Sequence, residues 1–199
     1  DESGIDDDPD LIRTKFSSHC FDDIDGTFSV DEVVVLGPNE RHLQLMHVVT
    51  PVSLCVNFSV KTRRSRTTSS DEGHRDENDH EHDDNHSESG SELDSPSRVC
   101  FGLIGPVTDP VFLHHLEQER VLVGELDEQQ VDHVLQSSPV ISEQPGIAPG
   151  ADVLDDDIRV DLPGWYMLKW RYEPIVHQAR PEPTSLLEVS LLCHVKTDE

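Results

Sequence analysis

Positive charge is scarce in this chain: 15 Lys and Arg stand against 41 Asp and Glu in 199 residues, a formal net charge of −26. Nucleic acids and anionic membrane surfaces attract proteins through Lys and Arg, so this balance excludes most direct binders of either. Apolar residues are also few, at 34%, and aromatics fewer, at 5%. No apolar run approaches the roughly 18 residues a membrane span needs. The length still allows one domain of about 100 to 150 residues, but such a low hydrophobicity cannot give every segment a core, so part of the chain reads as disordered. The first residue is Asp1, and no charged-then-apolar signal stretch follows it, which reads as a piece of a longer protein.

Cysteine is sparse as well. Cys20, Cys55, Cys100 and Cys193 are 35, 45 and 93 residues apart, neither a zinc-ligand spacing nor a dense disulfide framework. Three of them sit in apolar, strand-like runs, as buried reduced thiols of a cytosolic protein do. The framed motifs of catalysis are missing too: there is no phosphate-cradling glycine loop, no Gly-x-Ser-x-Gly, no His-Glu-x-x-His and no Cys-x-x-Cys. Most Ser, His and Asp fall in segments of disordered composition, which do not hold a nucleophile and base in register. The expectation is a non-enzyme without a cofactor.

What is present is strand pattern. Residues 1–26 are acidic and read as a linker. Val33 to Leu36 is β-branched and ends at the turn signal Gly37-Pro38, leading into Arg41 to Val49, so two strands are expected. Leu54, Val56, Phe58 and Val60 then alternate with Ser53, Cys55, Asn57 and Ser59, the signature of a strand buried on one face. Residues 62–97 carry almost no apolar side chain. Within them, Asp71 to Asp94 holds eleven acids, four histidines and one arginine, a disordered insertion by composition. A long loop adds closure entropy only logarithmically, so a domain tolerates it. The apolar pattern resumes with Val99, Phe101 and Leu103 on alternate positions.

Val111 to Leu113 and Arg120 to Leu126 allow strands, and Glu125 to Gln136 allows a short helix; the pattern does not decide. Residues 137–156 read as a second loop, because Pro139, Pro145, Pro149, Gly146 and Gly150 break regular structure. Ile158, Val160 and Leu162 alternate, Pro163-Gly164 turns the chain, and Tyr166, Leu168, Trp170 and Tyr172 share a face with Trp165 and Arg171 opposite. Leu187, Val189, Leu191, Cys193 and Val195 line a closing strand. Six to eight short strands with little helix predict an all-β antiparallel sandwich over residues 27–199, interrupted by the acidic insertion. Trp165 and Arg171 are of the residue types that dominate binding hot spots and are the expected partner contacts of the domain.

Inside the insertion, His74, His80, His82 and His86 among carboxylates could collect a metal weakly or serve as a solvated spacer. Ser69, Ser89 and Ser91 each precede an acid by three residues, the pattern of acidophilic kinases, and phosphate there would extend the loop. Lys61, Arg63, Arg64 and Arg66 form the one basic cluster, which could touch phosphoinositide headgroups or be read as a nuclear signal, although the acidic run a few residues on is a closer partner and internal neutralisation is the favoured expectation. His42 and His47 are expected as hydrogen-bonding side chains on a strand, and His114, His115 and His133 as surface residues.

The strand 53–60, the restart Val99-Cys-Phe-Gly-Leu103 and Leu162-Pro-Gly-Trp-Tyr-Met-Leu-Lys-Trp170 together resemble a GOLD domain. Gly164, Tyr166 and Leu168 match that family's Pro-Gly-x-Tyr-x-Leu motif, whereas Arg171-Tyr172-Glu173-Pro174 departs from its usual Asp-Asn continuation. Val30-Asp-Glu-Val33, leading to Gly37 and Arg41, is similar to the segment before the GOLD domain of FYVE and coiled-coil autophagy adaptors. The resemblance implies a jelly-roll-like sandwich that binds proteins in membrane traffic or autophagy, cytoplasmic and peripheral to endosomal, autophagosomal or Golgi membranes. Its alternative implication is a lipid-binding or lipid-sensing module of a lipid-transfer protein. Phe21-Asp-Asp-Ile24 resembles the motif by which autophagy receptors add a strand to LC3-type proteins, placing Phe21 and Ile24 in two pockets; Phe21 could equally begin the domain's first strand.

Overall fold

A computed structural model describes residues 12–17, 22–63, 97–118, 127–151, 154–174 and 186–196. Ten strands in two sheets, with two helices, make up these residues, so the all-β sandwich expected from the sequence is the fold. The first sheet runs in the order β1 (Arg13–Phe16), β4 (Glu40–Val48), β9 (Gly164–Pro174), β6 (Ser97–Ile104), β7 (Val140–Ile147), with β2 (Asp22–Ile24) also on β4. The second runs β3 (Ser29–Leu36), β10 (Leu186–Val195), β5 (Val52–Arg63), β8 (Leu154–Val160). All pairs are antiparallel except β1 and β2, which run parallel to β4.

Alternation on β5, β9 and β10 builds the core between the sheets. Leu54, Val56, Phe58 and Val60 point inward from β5 and meet Phe101, Leu168, Trp170 and Tyr172 of the opposite sheet. Phe58 and Phe101 approach at 5.1 Å between ring centroids, and Phe101 and Trp170 at 5.7 Å, both tilted, as aromatic quadrupoles prefer. The resemblance-bearing segments are neighbours, with Phe101 opposite Trp170 and Leu103 opposite Leu168 on adjacent central strands. Gly105, at φ +146°, lets β6 end tightly against Tyr166, whose ring a Cβ at that position would meet at 2.5 Å.

Three expectations are corrected. Residues 13–16 and 22–24 are not linker: both segments pair along one side of β4, and Ile24 is buried in the core. The composition hid this because two very short strands need few apolar positions when an existing strand offers its backbone. Residues 137–156 are not mainly loop either, since 140–147 form β7. Pro145 is tolerated because β7 is an edge strand whose register against β6 is irregular, and Gly146 takes a positive φ. Finally, residues 111–113 are helical, not a strand, within α1 (Pro110–Gln118), and the helix allowed at 125–136 is α2 (Glu128–Ser137). The acidic insertion, with Ser69, His74, His80, His82, His86, Ser89 and Ser91, lies outside the described residues apart from its margins, where β5 continues to Arg63 and β6 starts at Ser97.

Candidate functional site

The outer face of the six-stranded sheet is covered where α1 and α2 lie on it. Leu45 from β4, Ile104 from β6 and Trp165 and Met167 from β9 pack against Phe112 and Leu116 of α1 and Val134 of α2. Both helices begin on an aspartate cap. Asp109 accepts from the Phe112 amide at 2.8 Å, followed by Pro110 at the first helical position, and Asp127 accepts from the Gln129 amide at 3.1 Å.

A buried arginine fixes α2 to the sheet. Arg41, 3% exposed, points from β4 toward the helices and donates to Glu128 at 2.8 Å and to Asp132, while its Nε donates to the Thr14 hydroxyl at 2.6 Å. Glu128 in turn accepts from the Thr14 amide and hydroxyl, each at 2.6 Å. The cluster joins β1, β4 and α2, and it explains why so short a first strand is held: its backbone serves the same carboxylate that neutralises Arg41.

Between the two helices lies a groove of about 290 Å³ lined by Asp109, Val111, Phe112, Asp127, Gln129, Gln130, His133 and Val134. Its floor is apolar, through Phe112 and Val134. Val111 is a large apolar side chain left 56% exposed at its margin, and the two capping aspartates lie among its walls. His133 approaches Asp109 at 3.7 Å, and none of the lining residues is Lys or Arg. Such a groove presents negative charge beside an apolar floor, which suits a segment carrying apolar anchors flanked by cations.

The expected contact residues are dispersed. Trp165 does lie opposite Tyr166, Leu168 and Trp170, but it is 7% exposed beneath the helical roof and stacked on His47 at 4.7 Å, so it is a packing residue and not a surface hot spot. Arg171 is exposed on the same face, outside the groove. Ile24 is 1% exposed within β2, so its side chain is not presented to a partner in this fold, and Phe21 lies outside the described residues. His47 donates its Nδ1–H to the Asp23 carboxylate at 2.9 Å, as an ordinary strand histidine. His42 is different: it is buried, faces Glu32 at 3.7 Å, and burial lowers its pKa below 6.5 against the opposing pull of Glu32. No group of three or more potential ligands among the described residues is arranged to hold a metal.

The groove residues escaped the sequence reading, although a signal was present. Asp109-Pro110 followed by Phe112, Leu113 and Leu116 has the cap, first-turn proline and i, i+4 apolar spacing of a helix start.

No family model matches the chain, and no curated protein matches it. Among solved structures, the pre-peptidase C-terminal domain of a collagenase from Bacillus anthracis is similar at 8% identity and a TM-score of 0.35, over 90% of this chain and 95% of that one.

Proposed function

We propose that this chain is a non-catalytic protein-binding module, of GOLD type, belonging to a membrane-traffic or autophagy adaptor, and that it receives its partner in the groove between α1 and α2. The observation that carries the binding reading is the apolar floor of Phe112 and Val134 between Asp109 and Asp127. The partner this fits is a protein segment with apolar side chains flanked by Lys or Arg. Support for the GOLD type comes from Gly164, Tyr166 and Leu168 with the adjacent Val99–Leu103 segment, and the cellular setting rests on that resemblance alone. Membrane contact, on this reading, is indirect. The lipid-binding alternative draws less support, because Phe58, Phe101, Leu168 and Trp170 fill the space between the sheets.

An LC3-type partner at Phe21 and Ile24 requires β2 to leave β4, since Ile24 is part of the core. One experiment separates the two modes: affinity capture from cytosol with the chain as bait, beside Asp109→Asn/Asp127→Asn and Phe21→Ala/Ile24→Ala. Asparagine is as good a helix cap as aspartate, so the first variant removes charge while keeping both helices. Loss of partners with cationic segments in that variant supports the groove. Retention there with loss of LC3-type proteins in the second variant replaces it by the N-terminal segment, and a partner set without traffic or autophagy proteins removes the cellular assignment.

A further inference from the structure

The outer face of the four-stranded sheet carries a second cluster of reactive side chains, far in character from the groove. Register places His194 of β10 and Asp157 of β8 directly opposite Cys55 of β5, one on each side. Lys196 follows β10 and donates to Asp157 at 2.5 Å. The four side chains line a hollow of about 260 Å³. Cys55 is half-buried, and its sulfur accepts from the Asn57 side-chain Nδ2 at 3.6 Å. Among the described side chains of β8, Arg159 is held by Asp161 at 2.7 Å. Side chains directly opposite on one face of an antiparallel pair have Cβ atoms about 5 Å apart, so the His194 imidazole can reach the Cys55 thiol by rotation of its side chain, while Lys196 sits on Asp157 and offsets the carboxylate on the other side.

The other described cysteines have the opposite setting. Cys100 and Cys193 are buried, and burial pushes their pKa values up to about 11 and about 12. Those thiols stay protonated and shielded near neutral pH.

We propose that Cys55 is a modification site for low-molecular-weight disulfides, with His194 as the positioning base that accepts its proton. The Cys55 thiol gives its proton to the His194 imidazole. The thiolate sulfur attacks one sulfur of the small disulfide, a new S–S bond forms at Cys55, and the old one breaks. The Cys55 sulfur is oxidised, the leaving sulfur is reduced to a thiolate, and that thiolate takes the proton back from the imidazolium. No further oxidant is needed, because the incoming disulfide is the oxidant.

The test is exposure of the fully reduced chain to limiting oxidised glutathione over a pH series, followed by acid quench and peptide-level mass spectrometry that reports each cysteine separately. Cys55 is expected to react at least about tenfold faster than Cys100 and Cys193. In His194→Gln the Cys55 rate near neutral pH is expected to fall by about tenfold, with the rate profile moved to higher pH, while the unfolding midpoint stays unchanged because position 194 is on the outer face. Equal rates at the three cysteines would overturn the proposal. So would an unchanged pH profile in His194→Gln, which would reduce Cys55 to an accessible thiol without a base.

Discussion

The two sheets of this sandwich treat their outer faces differently. On the four-stranded sheet, β5 alternates buried and half-exposed residues, and outward positions carry Ser53, Cys55, Asn57 and Ser59. On the six-stranded sheet, β4 is buried almost without a break from Arg41 to Val48, because one side faces the core and the other faces α1 and α2. A strand with one wet face reads as period two, whereas a strand covered on both faces loses its polar alternation. The covered face is also where ionic chemistry goes indoors, as Arg41 with Glu128, Asp132 and Thr14. The bare face needs no such device, and its charges, such as Lys196 with Asp157, remain in water.

That difference sets a ranking of mutational effects. Trp165→Ala, beneath the roof, is expected to cost about 4 kcal/mol in denaturant unfolding, since a large buried aromatic leaves a cavity when truncated. Arg41→Ala comes next, at about 3 kcal/mol, by removing the partner of two carboxylates and freeing α2; amide exchange in α2 should accelerate more than in β5. On the bare face, Leu192→Ser, at a site 40% exposed, is expected to change stability by less than about 0.5 kcal/mol. A cost above that of Arg41→Ala would mean the four-stranded sheet is covered too.

Acid sharpens the comparison from within the core. Burial disfavours charged His42, so its folded pKa lies below the ordinary value of 6.5, with Glu32 opposing the shift and Lys15 adding to it. Below pH 6.5 the unfolded chain therefore binds more protons at this site than the folded one. The stability tied to neutral His42 is complete above 6.5 and declines as pH falls through the folded pKa. His42→Gln should flatten the pH dependence of the unfolding midpoint in that window, whereas His194→Gln on the bare face should leave it as it is.

How much of this was legible in the sequence follows the same division. β5, β9 and β10 could be read from their spacing, because alternation reports a single buried face; Leu54, Val56, Phe58 and Val60 all point inward as the pattern indicates. The facing of Trp165 was also readable, but its burial was not, since nothing in strand period two says whether a helix lies above it. β1 and β2 were hidden by acidic surroundings: Asp23 is exposed while Ile24, next to it, enters the core from β2. β7 was hidden by Pro145 and Gly146, which an edge strand accepts and a central strand would not. The helix start at Asp109 was written in cap chemistry but competed with the strand-like run at 111–113, whereas the spacing at 125–136 already allowed the helix that begins after Asp127.

Hydrogen–deuterium exchange of the chain, alone and with the partner segment recovered by capture, bears most directly on the central claim. Binding in the groove predicts slowed exchange in α1 and α2, at 110–118 and 128–137, with β5, β8 and β10 unchanged, and no slowing in Asp109→Asn/Asp127→Asn. Protection of β5, β8 and β10 with the two helices unaffected would contradict it, and would place the partner on the bare sheet.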